Sequence, residues 1–177
     1  ISEVPIFGRS ARGNRGMALG KDDAIIDALL VPPGIHASEQ SEPSDSEDMD
    51  EITEEHAFAT TLLTVTEFGY GKRTPFIQYR LQGRYGKGIL SYRTSSTTGN
   101  VVGALEVAAE DELMLVTDTG RVIRISANSV RMVGRVSQGV RLMRLETDEK
   151  IVDITRIEDD EDEDEEHDDA HSEGTEE

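Results

Sequence analysis

Apolar positions along this chain fall in short runs rather than in long helical stripes. LLTVTEFGYGKRTP (62–75) and LMLVTDTGRVIRIS (113–126) each place a strand-like run before a glycine turn and a second run. IIDALLV (25–31), VVGALEV (101–107) and IVDITRI (151–157) are further β-branched apolar runs. Residues of this kind, broken by turns such as Asp118-Thr119-Gly120, predict antiparallel hairpins. No long segment carries the 3.6-residue period of an amphipathic helix, so the expected fold class is all-β.

The chain also repeats itself. VPIFGRSARGNRGMAL (4–19) and VRMVGRVSQGVRLMRL (130–145) share Val, Gly, Arg, Gly, Arg, Met and Leu in the same columns, seven identities in sixteen positions. A looser copy, LQGRYGKGILSY (81–92), is placed with Gly86 in the column of Gly139, 53 residues later. Each copy is followed by one of the β-branched runs. A period near 50 with about four strands per unit predicts propeller-like blades. The expected organisation is a partial blade over 1–35, an insertion over 36–57, blades over 58–110 and 111–157, and a tail over 158–177, with the ring incomplete.

Charge changes this picture. The net charge is -19, yet residues 36–57 hold 9 acids, residues 158–177 hold 14, and neither tract has a Lys or Arg. That leaves 14 acids against all 18 Lys and Arg in the rest of the chain, a balance of +4. Acidic tracts this poor in large apolar residues cannot offset the entropy of ordering, so insertion and tail are expected to be disordered. The foldable part is basic, which points to a polyanionic partner. A tethered acidic tail could compete for that surface, in which case deletion of 158–177 should tighten nucleic-acid binding. The chain opens on Ile1 with no charged and then apolar leader, and reads as a piece of a longer cytoplasmic protein. There is no cysteine and no apolar run long enough for a membrane span.

GYGKRTP (69–75), GRYGKGI (83–89), VVGALEV (101–107), VTDTGRVIR (116–124), VRMVGRVSQGVRLMRL (130–145) and the acidic tail together resemble the last blades of the C-terminal domain of DNA gyrase A proteins. The resemblance implies a six-bladed β-pinwheel whose basic rim bends double-stranded DNA. It also implies that this piece carries no catalytic residue or cofactor and serves an ATP- and Mg-dependent type II topoisomerase. The partners implied are the rest of the gyrase A protein and gyrase B, in a bacterial, nucleoid-associated assembly. The family's first-blade box, QRRGGKG, has its nearest string here in QGRYGKG (82–88), which motif order places in a late blade. Topoisomerase IV shares the blades and lacks the box; the late-blade wording and the tail favour gyrase.

Fourteen basic residues are candidates for phosphate contact. Arg9, Arg12, Arg15, Arg80, Arg84, Lys87, Arg131, Arg135 and Arg141 recur in or near repeat columns, Arg144 lies in the last repeat copy, and Lys72, Arg73, Arg121 and Arg124 lie in the hairpins. Regular spacing suits a ladder of phosphates; the bland alternative is an ordinary solvated surface. Tyr79 and Tyr85 fit blade packing better than base stacking. A phosphate-binding loop is excluded at Gly71-Lys72, because Thr66 stands where its first Gly is required and Arg73 where Ser or Thr is required. Gly83-Arg84-Tyr85-Gly86 lacks the helices of a KH loop, Asp159–Glu166 lacks the Gly of a calcium loop, and His167 and His171 have no fixed geometry for a metal. A protein-interaction propeller of the WD40 type would need Trp, which the chain lacks, and no cluster of residues suggests a small barrel enzyme.

Overall fold

Two hairpins of one design set the architecture. The structure, a computed structural model, describes residues 5–31 and 60–157. The acidic tracts at 36–57 and 158–177, with His167 and His171, lie outside the described residues. The first hairpin joins β1 (Thr61–Thr66) to β2 (Tyr70–Pro75), and β3 (Val101–Val107) pairs on the other side of β1. The second joins β4 (Glu112–Thr117) to β5 (Val122–Ser126), with β7 (Ile151–Ile157) on the other side of β4. Every pairing between these strands is antiparallel, and the only helical turns among the described residues are two short 3-10 segments, at Phe76–Gln78 and Ala127–Ser129.

The hairpins superpose feature by feature at a spacing of 51 residues, from Thr61 to Glu112. Each central strand carries a bulge at its end, Val65/Thr66 in one and Val116/Thr117 in the other. Each turn needs a glycine with positive φ, Gly69 at 80° and Gly120 at 81°, whose amide donates to Thr66 O and Thr117 O. The threonine hydroxyls close the turns in the same way, Thr66 onto Tyr70 O and Thr117 onto Arg121 O.

The same spacing corrects the register of the looser copy. Gly13, Gly88 and Gly139 share a left-handed φ of 73°, 80° and 71°, and Gly139 lies 51 residues after Gly88. Gly88, and not Gly86, therefore occupies the column of Gly139. GRYGKG offers three glycines to that column, and only the backbone geometry tells them apart. In the corrected register Arg9, Arg84 and Arg135 share one column, and Arg80 and Arg131 another.

One strand crosses between units. β6 (Val140–Arg141) follows β5 in the chain but pairs with β2, giving sheet orders β3-β1-β2-β6 and β5-β4-β7. The first unit therefore takes its outer strand from the second, and the expected boundary at 110/111 cuts across a shared sheet. The outer edge of β5 has no partner strand among the described residues.

A single apolar cluster joins the sheets: Leu63, Val65 and Val107 from one side, Leu113, Leu115, Ile151 and Ile154 from the other, with Ala127, Val130 and Met143. Burying each large aliphatic side chain contributes about 1.5–3 kcal/mol. β3 and β7 approach closely at Gly103, where a Cβ would lie 2.9 Å from Ile154 Cγ1. The run 25–31, expected as a strand, forms none. Beside β3 it makes a side-chain bond in place of ladder bonds, Ala104 N donating to Asp27 Oδ2 at 3.3 Å, and Ile25, Ile26 and Leu30 are exposed. Residues 16–18 dock on the rest of the chain through hydrogen bonds from Ala18 N to Gly86 O and from Tyr85 N to Gly16 O.

Candidate nucleic-acid interface

Some of the basic residues singled out from the sequence turn inward. Lys72 is fully buried, and its Nζ donates to Gly134 O at 2.8 Å and to Arg135 O while lying 5.1 Å from the Tyr92 ring centroid. Burial, reinforced by the nearby Arg135 guanidinium, pushes its pKa down to about 8. Arg73 is 5% exposed and donates from Nε to Val130 O at 2.9 Å; burial lowers its pKa as well. Arg135, 8% exposed, donates to Leu90 O at 3.1 Å. All three span the two repeat units. The irregular backbone at 130–138 leaves carbonyls that no ladder satisfies, and long cationic side chains reach them. Lys72, Arg73 and Arg135, expected at a DNA surface, thus hold the blades together instead.

Tyrosines complete this seam. Tyr92, 5% exposed, donates its hydroxyl to Gln138 O, and burial pushes its pKa up to about 12. Tyr79, half-buried, shares a 2.7 Å hydrogen bond with Ser91 Oγ, and burial raises its pKa too. Tyr85 is exposed, with the Arg84 guanidinium 5.4 Å from its ring centroid. Nε and Nη1 of Arg84 are buried without a hydrogen-bond partner, whereas Arg135 in the same column finds Leu90 O.

Two further candidates are held by acids. Arg124 pairs with Glu112 across β4 and β5. Arg121 donates to Glu149 Oε2 at 2.6 Å. Glu149 is 3% exposed and also accepts from Thr119 Oγ1 at 2.6 Å, Glu146 N at 2.8 Å and Thr117 Oγ1 at 2.8 Å. These donors, the Thr119 hydroxyl first, pull its pKa down to about 2.

The remaining candidates face solvent. Arg80, Lys87, Arg131, Arg141 and Arg144 are exposed, as are Arg9, Arg12 and Arg15 on the segment 5–31. Arg141 stacks on Tyr70, 5.3 Å from the ring centroid, and donates to its hydroxyl at 2.8 Å. Two open clefts meet at β6. The larger, about 610 Å³, is lined by Tyr70, Arg141, Arg144 and Lys150 together with Glu146, Asp148 and Glu149. The smaller, about 370 Å³, is lined by Arg93, Arg131, Ser137 and Gln138 together with Val133, Val136, Gly139 and Val140, with no acid. Two cations that line these clefts were not among the fourteen candidates, Lys150 in the larger and Arg93 in the smaller; for Arg93 the sequence held a signal. That signal was the register: aligned on Gly88 and Gly139, Arg93 falls in the column of Arg144.

Among the described residues no group of three His, Asp or Glu could hold a metal ion, and no helix is long and apolar enough to cross a membrane.

Comparison with known proteins decides the family. The family model described as "DNA gyrase C-terminal domain, beta-propeller" matches residues 1–32, 60–108 and 111–158. The chain belongs to the DNA gyrase A C-terminal domain family. The three matched blocks of this gyrase domain pass over 33–59, which contains the acidic tract. The DNA gyrase A protein of Pseudomonas aeruginosa is 34% identical over 166 residues, covering 91% of this chain and 15% of that protein. The DNA gyrase A protein of Rickettsia bellii is 35% identical, covering 97% of the chain and 22% of that protein. The gyrase domain thus spans less than a quarter of these relatives. Among solved structures, a DNA gyrase A C-terminal domain aligns with TM-score 0.51 and 31% identity over 54% of this chain and 33% of that one. The C-terminal domain of a DNA topoisomerase IV aligns with TM-score 0.68 over 89% of this chain and 42% of that one; at 20% identity it shares the fold. The gyrase and pinwheel resemblance read from the sequence is borne out, as is the all-β, open-ring fold.

Proposed function

We propose that this gyrase A domain holds duplex DNA through its phosphate backbone and bends it over the exposed basic edge of the blades. The observation that carries this reading is the split between the two arginine columns. Arg135 turns inward to the Leu90 carbonyl, while Arg80 and Arg131, 51 residues apart in equivalent places, are both exposed and pair with no acid among the described residues. Cations presented at a fixed interval on successive blades suit a ligand with regularly spaced phosphates, and they require no base reading. Preference among sequences then arises from how easily each duplex bends.

By kinship with gyrase A, the domain delivers the bent duplex to the strand-passing parts of a type IIA topoisomerase formed together with gyrase B. There ATP and Mg²⁺ support negative supercoiling, and this domain supplies DNA contacts rather than reacting groups.

The test is a binding and bending assay with unrelated duplexes of about 150 base pairs, one persistence length, labelled at both ends. Similar affinities and a shortened end-to-end distance support the reading. Strong dependence on one base sequence, or binding without bending, contradicts it.

A further inference from the structure

We propose that the acid-free cleft between Arg93 and Arg131 is a phosphodiester-binding subsite built across the boundary of the two repeat units. It rests on the DNA-binding reading above and names the place where a backbone phosphate is gripped.

The two clefts at β6 differ in their charge. In the larger, Arg141, Arg144 and Lys150 face Glu146, Asp148 and Glu149, three cations against three acids. An incoming phosphate there meets as much repulsion as attraction. The smaller has Arg93 and Arg131 and no carboxylate in its walls. Both guanidinium groups are exposed and neither has an acidic partner among the described residues. Two guanidinium groups facing one small cleft repel each other until an anion enters, and a phosphate can accept hydrogen bonds from both on different oxygens. Gln138, exposed on the same rim, adds a side-chain amide donor.

Both arginines stand on fixed backbone. Arg93 follows Tyr92, whose buried ring lies under the Lys72 ammonium and whose hydroxyl is tied to Gln138 O. Arg131 is pinned through its own carbonyl, which accepts from Arg73 N at 3.1 Å. Gly139 packs closely on β2: a Cβ there would collide with Gly71 O and lie 3.1 Å from Tyr92 Oη. Pinned stems mean that little backbone order is lost when the ligand arrives.

The walls come from different units. Arg93 lies in the first unit, on the segment between β2 and β3, whereas 131–140 belongs to the second. The subsite therefore exists only while the units are docked through the Lys72, Arg73 and Tyr92 seam, which makes phosphate binding and blade docking mutually supportive.

The experiment measures affinity for a short duplex across a range of salt, using the full chain and its Arg93→Ala, Arg93→Lys, Arg131→Ala and double-alanine variants, each checked by thermal melting. Arg93→Ala is expected to melt as the wild type, to bind more weakly, and to lower the slope of log K against log salt by about 0.9, the value for one phosphate. Arg93→Lys should keep the slope, and the double variant should lose less than the two single effects combined, since both residues serve one phosphate. A wild-type slope and affinity in Arg93→Ala overturns the subsite while leaving the DNA reading intact. Failure of the wild type itself to bind duplex at low salt overturns both.

Discussion

Lys72 Nζ lies 2.8 Å from the carbonyl oxygen of Gly134, across the boundary between two repeat units and with no exposure to solvent. A lysine read from sequence as a DNA contact is thus a tether between blades. Lys72→Ala takes the ammonium from the Arg135 carbonyl, at about 1–3 kcal/mol for a buried unsatisfied group, while Gly134 O keeps the Ser137 hydroxyl at 3.0 Å. Denaturant melts should show a clear loss of stability for Lys72→Ala and a far smaller one for Lys87→Ala, which is exposed. Equal effects would contradict the tether.

Glu149 makes a pH-dependent contribution. Its pKa in the fold is about 2 against an ordinary 4.5, so the folded state holds the deprotonated form more strongly than the unfolded chain does. This stabilisation is complete above about pH 4.5 and is lost as pH falls toward 2. The stability difference between the wild type and Glu149→Gln should therefore shrink across that window and be constant above it. A difference independent of pH from 2 to 6 would show that the carboxylate charge is immaterial.

Gly139 sits at a φ of 71°, with its would-be Cβ directed at Gly71 O. Strain in that region costs about 1–3 kcal/mol for a residue with a side chain, before the collision is counted. Gly139→Ala should lower the melting temperature and detach β6 from β2, which hydrogen exchange at Gly71 and Val140 would report. Gly120→Ala, with positive φ but nothing within 4 Å, should cost less.

The fold was legible because the repeat is physical. Strand runs such as 101–107, 113–117 and 151–157, and the turn at Gly120, recur because each blade must build the same hairpin, and the structure has them where the pattern placed them. The strand exchange at β6 was not legible, since a two-residue pairing leaves no hydrophobic period. The direction of each basic side chain was hidden too. Arg73 and Arg80 look alike in sequence, yet one faces a carbonyl of the next unit and the other faces water. Arg93 was missed because the extra glycine in GRYGKG shifted the column by two residues and hid its alignment with Arg144.

The most direct measurement is duplex affinity against salt concentration for the full chain and for a variant carrying Arg80→Glu and Arg131→Glu. Wild-type binding should fall steeply with salt, and the variant should bind more weakly with a shallower slope, by about 0.9 for each phosphate the protein no longer neutralises. A salt-insensitive wild type, or a variant that binds with unchanged affinity and slope, would contradict backbone binding at this edge.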